Sequence, residues 1–223
     1  GMNTERITAE WGKPLDTEEI RAKLEADTNK EIKAVVITHS ETSAGVLNDL
    51  ETINQHVKAH GEALIIVDAV TSLGAYNIPI DDLGLDVVAS GSQKGYMIPP
   101  GLGFISVSDK AWKAYETSKF PRFYMDLGKY KKANAKNSSP FTPPINLMFG
   151  LQTALEMMQR EGLANIFDRH LRLTNATRAA AKAMGLNRLA PDNAASTAVT
   201  AIMSDDAEAI RSIMRQKYDI ALA

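Results

Sequence analysis

Four short apolar-rich runs constrain this chain more than any other feature. Ala34 to Thr38 reads Ala-Val-Val-Ile-Thr and Ala63 to Asp68 reads Ala-Leu-Ile-Ile-Val-Asp, with Leu85 to Ser90 and Gly103 to Val107 following. The first two are apolar at successive positions rather than alternate ones. Both faces of such a strand avoid water, which is the pattern of a sheet covered by helices on each side. Between the runs the apolar spacing is helical. Asp16 opens one helix as its cap, with Glu18 and Glu19 at the positive end of the dipole. Leu47, Leu50, Ile53 and Val57 mark a second helix over residues 47–60. Strands alternating with helices predict an α/β fold, a three-layer α/β/α arrangement around a mostly parallel sheet.

The 223 residues suffice for one large domain and part of another. Residues 120–144 show no periodicity and hold Pro121, Gly128, Pro140, Pro143 and Pro144. A loop of that length is expected to be functional or to pack on another subunit. Lys129, Lys131, Lys132 and Lys136 cluster there and read as a solvated loop. Helical spacing resumes over 146–185, broken at Gly162, with Leu147, Leu151, Leu155 and Met158 as the apolar face of its first part. Thr197 to Met203 reads as a strand, and Ser204-Asp205-Asp206 caps a helix carrying Ile210, Ile213 and Met214. The expected division is a large domain over 1–167 and the beginning of a smaller C-terminal α/β domain over 168–223.

The net charge of −2 recruits neither nucleic acid nor an anionic membrane, and no apolar run has the length of a membrane span. With no signal core at the N-terminus, the expected compartment is the cytoplasm. There is no cysteine, hence no thiolate nucleophile or thiolate metal site, and no His/Asp/Glu spacing suggests a metal. Two polar residues stand out because they follow apolar strands: Asp68 and Lys94. Ligands of a wound α/β sheet sit beyond the carboxyl ends of its strands. An acid and a lysine delivered there by neighbouring strands are candidates for one site, although a strand-end Asp is commonly a turn former and a loop Lys commonly solvated. The Ser residues near Lys94 lack an oxyanion signature that would suggest a Ser–Lys hydrolase.

Four ordered segments carry a family resemblance. Thr38-His39-Ser40-Glu41-Thr42-Ser43-Ala44-Gly45-Val46 is the first, and Asp68-Ala69-Val70-Thr71-Ser72-Leu73-Gly74 the second. Ser90-Gly91-Ser92-Gln93-Lys94-Gly95 with Pro99-Pro100-Gly101-Leu102-Gly103 is the third, and Thr142-Pro143-Pro144-Ile145 the fourth. Together they resemble class V, fold-type I aminotransferases that use pyridoxal 5′-phosphate (PLP), in particular alanine–glyoxylate and serine–glyoxylate (serine–pyruvate) aminotransferases. The resemblance implies that Lys94 is the Schiff-base and proton-transferring lysine and that Asp68 keeps the pyridine nitrogen protonated. It implies that Ser43 hydrogen-bonds the cofactor, Val70 packs on the ring, Gln93 contacts the phosphate, and Thr142 reaches the phosphate held by the other subunit of a homodimer. It further implies ping-pong transfer of an amino group from serine or alanine to a 2-oxo acid such as glyoxylate or pyruvate. His39 then reads as structural, since Lys94 moves the proton.

The resemblance leaves gaps. Family members carry a Gly-rich phosphate segment upstream and a substrate-gripping Arg downstream, and neither is found here. The chain therefore looks truncated at both ends and is expected to bind PLP weakly by itself. A desulfurase-like lyase is disfavoured by the missing cysteine and by Gln93 where that branch places His. A non-catalytic fragment with the PLP-transferase fold is the other alternative.

Overall fold

The computed structural model describes residues 2–222 of the chain. Helix α1 (Thr17–Ala26) is followed by β1 (Ala34–Thr38), the two-residue strands β2 (Ser40–Glu41) and β3 (Val46–Leu47), and α2 (Leu50–His60). Then come β4 (Leu64–Asp68), the short α3 (Ile80–Leu83), β5 (Val87–Gly91), β6 (Gly103–Val107) and α4 (Asp109–Thr117). The remainder holds α5 (Leu127–Asn134), α6 (Ile145–Glu161), α7 (Leu163–Ala183), β7 (Asn187–Arg188), β8 (Ile202–Met203) and α8 (Ala207–Tyr218).

The main sheet has the order β1-β4-β5-β6. The first three strands are parallel, with Thr38 opposite Asp68 and Asp68 opposite Ala89, while β6 returns antiparallel to β5. Ile37, Ile65, Val67 and Val88 point to one face, where Ile20 and Leu24 of α1 and Leu50, Ile53 and Val57 of α2 cover them. Each of these side chains contributes about 1.5–3 kcal/mol on burial, so this layer is what fixes the sheet. Asp16 caps α1 by accepting from Glu18 N–H, and Asp49 caps α2 by accepting from Thr52 N–H.

The opposite face is less fully covered. There Val36 is 72% exposed and Ile105 47% exposed, while Ile66, Val87 and Ala89 are half-buried, so the described residues cover that side less completely. An uninterrupted apolar run states that both faces favour burial. It does not state that the same chain supplies both layers.

Several local expectations also need correction. Leu47 belongs to β3 rather than to α2, because Gly45 at φ +65° turns the chain and Asp49 starts the helix two residues later. The third strand begins at Val87; Asp86 is buried and accepts from Ile65 N–H and from the Ser108 hydroxyl, locking β4, β5 and α4 together. Residues 127–134 form α5, so three of the clustered lysines lie on a helix. Asp126 caps it, and Lys129 and Lys131 stand over the rings of Phe123 and Trp112. On α6 the buried residues are Ala154 and Met158, whereas Leu155 is exposed. Only Ile202 and Met203 of the expected 197–203 strand pair with β7. On α8 no side chain supplies the cap at Asp206, and Ile210 and Ile213 remain exposed. Gly162, at φ +83°, separates α6 from α7 as its position suggested, and α7 runs unbroken through residue 168.

Candidate active site

The site is assembled from three loops at the carboxyl ends of the parallel strands. The first follows β1, the second follows β4 and carries Asp68 to Gly74, and the third joins β5 to β6 and carries Lys94. Asp68 is the last residue of β4 and is exposed. Its Oδ1 accepts the Val70 N–H at 2.9 Å, which orients the carboxylate, and its other oxygen makes no hydrogen bond among the described residues. Lys94 lies just past the end of β5, the parallel neighbour of β4.

The Lys94 loop holds its shape through Ser92, which is wholly buried. The Ser92 hydroxyl donates to Pro99 O at 2.8 Å and accepts from Leu102 N–H, while Ser92 N–H donates to Leu102 O at 3.0 Å. Met97 N–H closes the turn onto Lys94 O at 2.9 Å. The second and third loops touch backbone to backbone. A Cβ on Gly74 would lie 3.1 Å from Gly95 Cα, and one on Gly95 would run into Leu73 O. Only glycines permit this approach. The first loop is tied in by a hydrogen bond between the Thr42 and Thr71 hydroxyls.

Asp68, Lys94, Val70 and Gln93 are thus gathered on two loops in contact, with Ser43 on the loop beside them. Val70 is half-buried; Asp68, Lys94, Gln93 and Ser43 are exposed. Ser43 donates from both its hydroxyl and its N–H to Glu41, and that pair of bonds holds the Glu41 carboxyl below its ordinary range. The Gln93 side chain folds back over Gly91. Thr142 stands apart: it is exposed in the segment entering α6, and no hydrogen bond among the described residues joins it to the other five.

His39 occupies a buried position between these loops. Its Nδ1 shares a 2.9 Å hydrogen bond with the Ser72 hydroxyl, its ring meets Tyr76 edge-on at 5.3 Å, and burial pushes its pKa down to about 4. Thr42, Thr71 and Ser72 were not singled out from sequence. They lie inside the quoted segments, but a hydroxyl pair separated by some thirty residues leaves no local pattern.

The residues fit a PLP-sized group by the chemistry of the set. One carboxylate with an oxygen that makes no hydrogen bond among the described residues, one accessible amine, a hydroxyl, a side-chain amide and an aliphatic side chain lie on neighbouring loops at the carboxyl ends of the parallel strands. No group of three His, Cys, Asp or Glu residues poised for a metal occurs among the described residues.

Comparison with known proteins identifies the family. The model of the "Aminotransferase class-V" family matches residues 2–223. A protein of Anabaena cylindrica named soluble hydrogenase 42 kDa subunit is 68% identical over all of this chain, which spans 59% of that relative's length. The serine–glyoxylate aminotransferase of Methylorubrum extorquens is 40% identical over 94% of the chain and 54% of its own length. Among solved structures, pyridoxamine–pyruvate aminotransferase from Mesorhizobium loti superposes with a TM-score of 0.90 at 31% identity, over 96% of this chain and 56% of that one. The chain spans somewhat more than half the length of each of these three relatives. A match over nearly every residue, on an α/β fold shared at that TM-score, makes this chain a member of the class V aminotransferase family.

Proposed function

We propose that this chain is the cofactor-holding core of a PLP-dependent aminotransferase. Its substrates are a small amino acid, serine or alanine, and a 2-oxo acid such as glyoxylate or pyruvate. The observation that carries the reading is the backbone contact of Gly74 with Gly95, which fixes the Asp68 and Lys94 loops against each other on adjacent parallel strands. When bound, PLP supplies the electron sink that transamination needs. The Lys94 amine would hold the cofactor and would act as the base that takes the proton from the amino donor's Cα. The Asp68 carboxylate holds a proton on the ring nitrogen, oriented for that by the Val70 N–H. Val70 packs on the ring, Ser43 contributes its hydroxyl, and Gln93 contacts the phosphate. Thr142 reaches the phosphate of a partner copy in a homodimer; among the described residues no hydrogen bond ties it to its own chain's site.

The substrate class rests on the relatives' names, serine–glyoxylate aminotransferase at 40% identity among them. The Anabaena relative, at 68% identity, is named for a hydrogenase subunit, and this chain spans 59% of its length. A metal centre for dihydrogen chemistry built on soft thiolate ligands needs cysteine, and these 223 residues contain none.

Reductive trapping tests the proposal. The chain is incubated with PLP, reduced with borohydride and mapped by peptide mass. Pyridoxyl label is expected to concentrate at Lys94 over exposed lysines such as Lys131 and Lys132, with Lys94→Ala removing that site. Label spread evenly over the surface lysines would sink the reading.

A further inference from the structure

We propose that His39 is a positioning residue for the cofactor site, acting through Ser72 to fix the turn that joins Asp68 to the Lys94 loop. This rests on the PLP reading of Asp68 and Lys94. The starting observation is a buried imidazole that the proposed chemistry leaves unused: His39 is 3% exposed.

His39 grips the turn from two sides. On the backbone its N–H donates to Asp68 O at 2.9 Å, extending the β1–β4 ladder past the last paired residues. On the side chain its Nδ1 meets the hydroxyl of Ser72, itself 1% exposed. Ser72 is the hub of the turn, because its carbonyl accepts both Ala75 N–H at 3.0 Å and Tyr76 N–H at 2.8 Å. Leu73 N–H closes back onto Ala69 O at 2.9 Å, and Leu73 and Gly74 form the surface on which Gly95 rests. The Tyr76 ring seals the imidazole edge-on. A continuous path of hydrogen bonds and contacts therefore runs from His39 through Ser72 and Gly74 to Gly95, the neighbour of Lys94. Burial keeps the imidazole neutral at ordinary pH, so the Ser72 bond stays one between neutral groups. A polar group this buried without a partner is costly, and among the described residues the Ser72 hydroxyl is the partner that Nδ1 finds.

The test uses Ser72→Ala, which removes the hydroxyl with little change in volume, together with His39→Leu and His39→Asn. The Asn variant keeps a polar atom near the place of Nδ1. Two readouts are taken on the full chain. Hydrogen exchange without PLP should be faster by about tenfold at the Leu73, Ala75 and Tyr76 amides in Ser72→Ala and His39→Leu, the size expected for one lost buried hydrogen bond. Amides of α1 should stay at the wild-type rate, and His39→Asn should recover much of the protection at 73–76. Borohydride trapping of PLP at Lys94 should fall in the same order among the variants. A uniform rise in exchange across the chain, with 73–76 no worse than α1, overturns the proposal. So does local loosening at 73–76 that leaves Lys94 trapping unchanged. If wild type itself traps no PLP at Lys94, it is the cofactor reading that fails, and the exchange pattern still decides whether His39 holds the turn.

Discussion

At Gly95 the backbone of the Lys94 loop lies so close to Leu73 O that no side chain fits between them. Gly95→Ala must therefore push the two loops apart, and the obstacle is backbone rather than a side chain that can swing away. The expected cost is about 1–3 kcal/mol in urea unfolding, the usual penalty of overpacking, with Lys94 trapping reduced in parallel. An Ala variant as stable as wild type would show that the loops are not in firm contact. The glycine is legible in the sequence only as part of a segment. What made Asp68 and Lys94 legible was position: each follows an apolar strand, and the sheet brings those strand ends together. Ser43, Val70, Gln93 and Thr142 have no such signal of their own and enter through family resemblance. The hydroxyl ties of Thr42 to Thr71 and of Ser72 to His39 were not readable at all, since they depend on where distant loops meet in space.

Elements with a strong local signature were read closely, and elements stabilised from outside were not. β1 and β6 fall at their expected residues because apolar runs bounded by polar residues or glycine define them. The α5 helix was missed because it has eight residues, includes Gly128 and three lysines, and buries no apolar stripe; a cap and two cation–ring contacts hold it. The α1–α2 pair shows a different outside device. Asp27, at the end of α1, accepts from the N–H groups of Ile32 and Glu31 and meets His60 Nε2 at 3.0 Å, while Ala63 N–H donates to His60 Nδ1. The two backbone donors, chiefly Ile32, and to a smaller degree His60 outweigh burial and bring the Asp27 carboxyl down to about 2 from 3.8. A carboxyl depressed in the folded state contributes stability that is present above its unfolded value and lost as pH falls through the folded value. Thermal unfolding is therefore expected to show wild type losing stability between about pH 4 and pH 2 more steeply than Asp27→Asn, with the two curves converging at the acid end. Parallel curves across that window would mean that Asp27 is not held by these donors.

On the scale of the whole molecule, apolar surface is distributed unevenly. One sheet face is sealed by α1 and α2 while the other exposes Val36 and Ile105, a distinction that strand composition cannot make because it reports the preference of a face and not its neighbour. The larger exposure lies elsewhere, along 120–149. Phe123 is 71% exposed, Met125 82% and Phe149 66%, and Ile145, Met148 and Phe149 share one face of the first turns of α6 by their three- and four-residue spacing. Phe141 meets Tyr124 at 4.6 Å and Phe123 at 6.0 Å in tilted ring contacts, and Thr142 is the next residue. Large apolar side chains exposed in such number along one segment are the kind of surface that association covers. If a second copy covers it, the same contact would carry Thr142 toward the partner's site, so one surface would serve both association and cofactor binding. Analytical ultracentrifugation of the chain is then expected to show a dimer at micromolar concentration, and the pair Met148→Glu with Phe149→Glu to shift it to monomer by placing unpaired charges in the contact. Because neither residue is buried in its own chain's core, the variant should unfold at nearly the wild-type temperature once dimer coupling is removed by dilution. A wild type that stays monomeric throughout, or a glutamate pair that leaves the dimer intact, would place the partner surface elsewhere and take from Thr142 its route to the neighbouring phosphate.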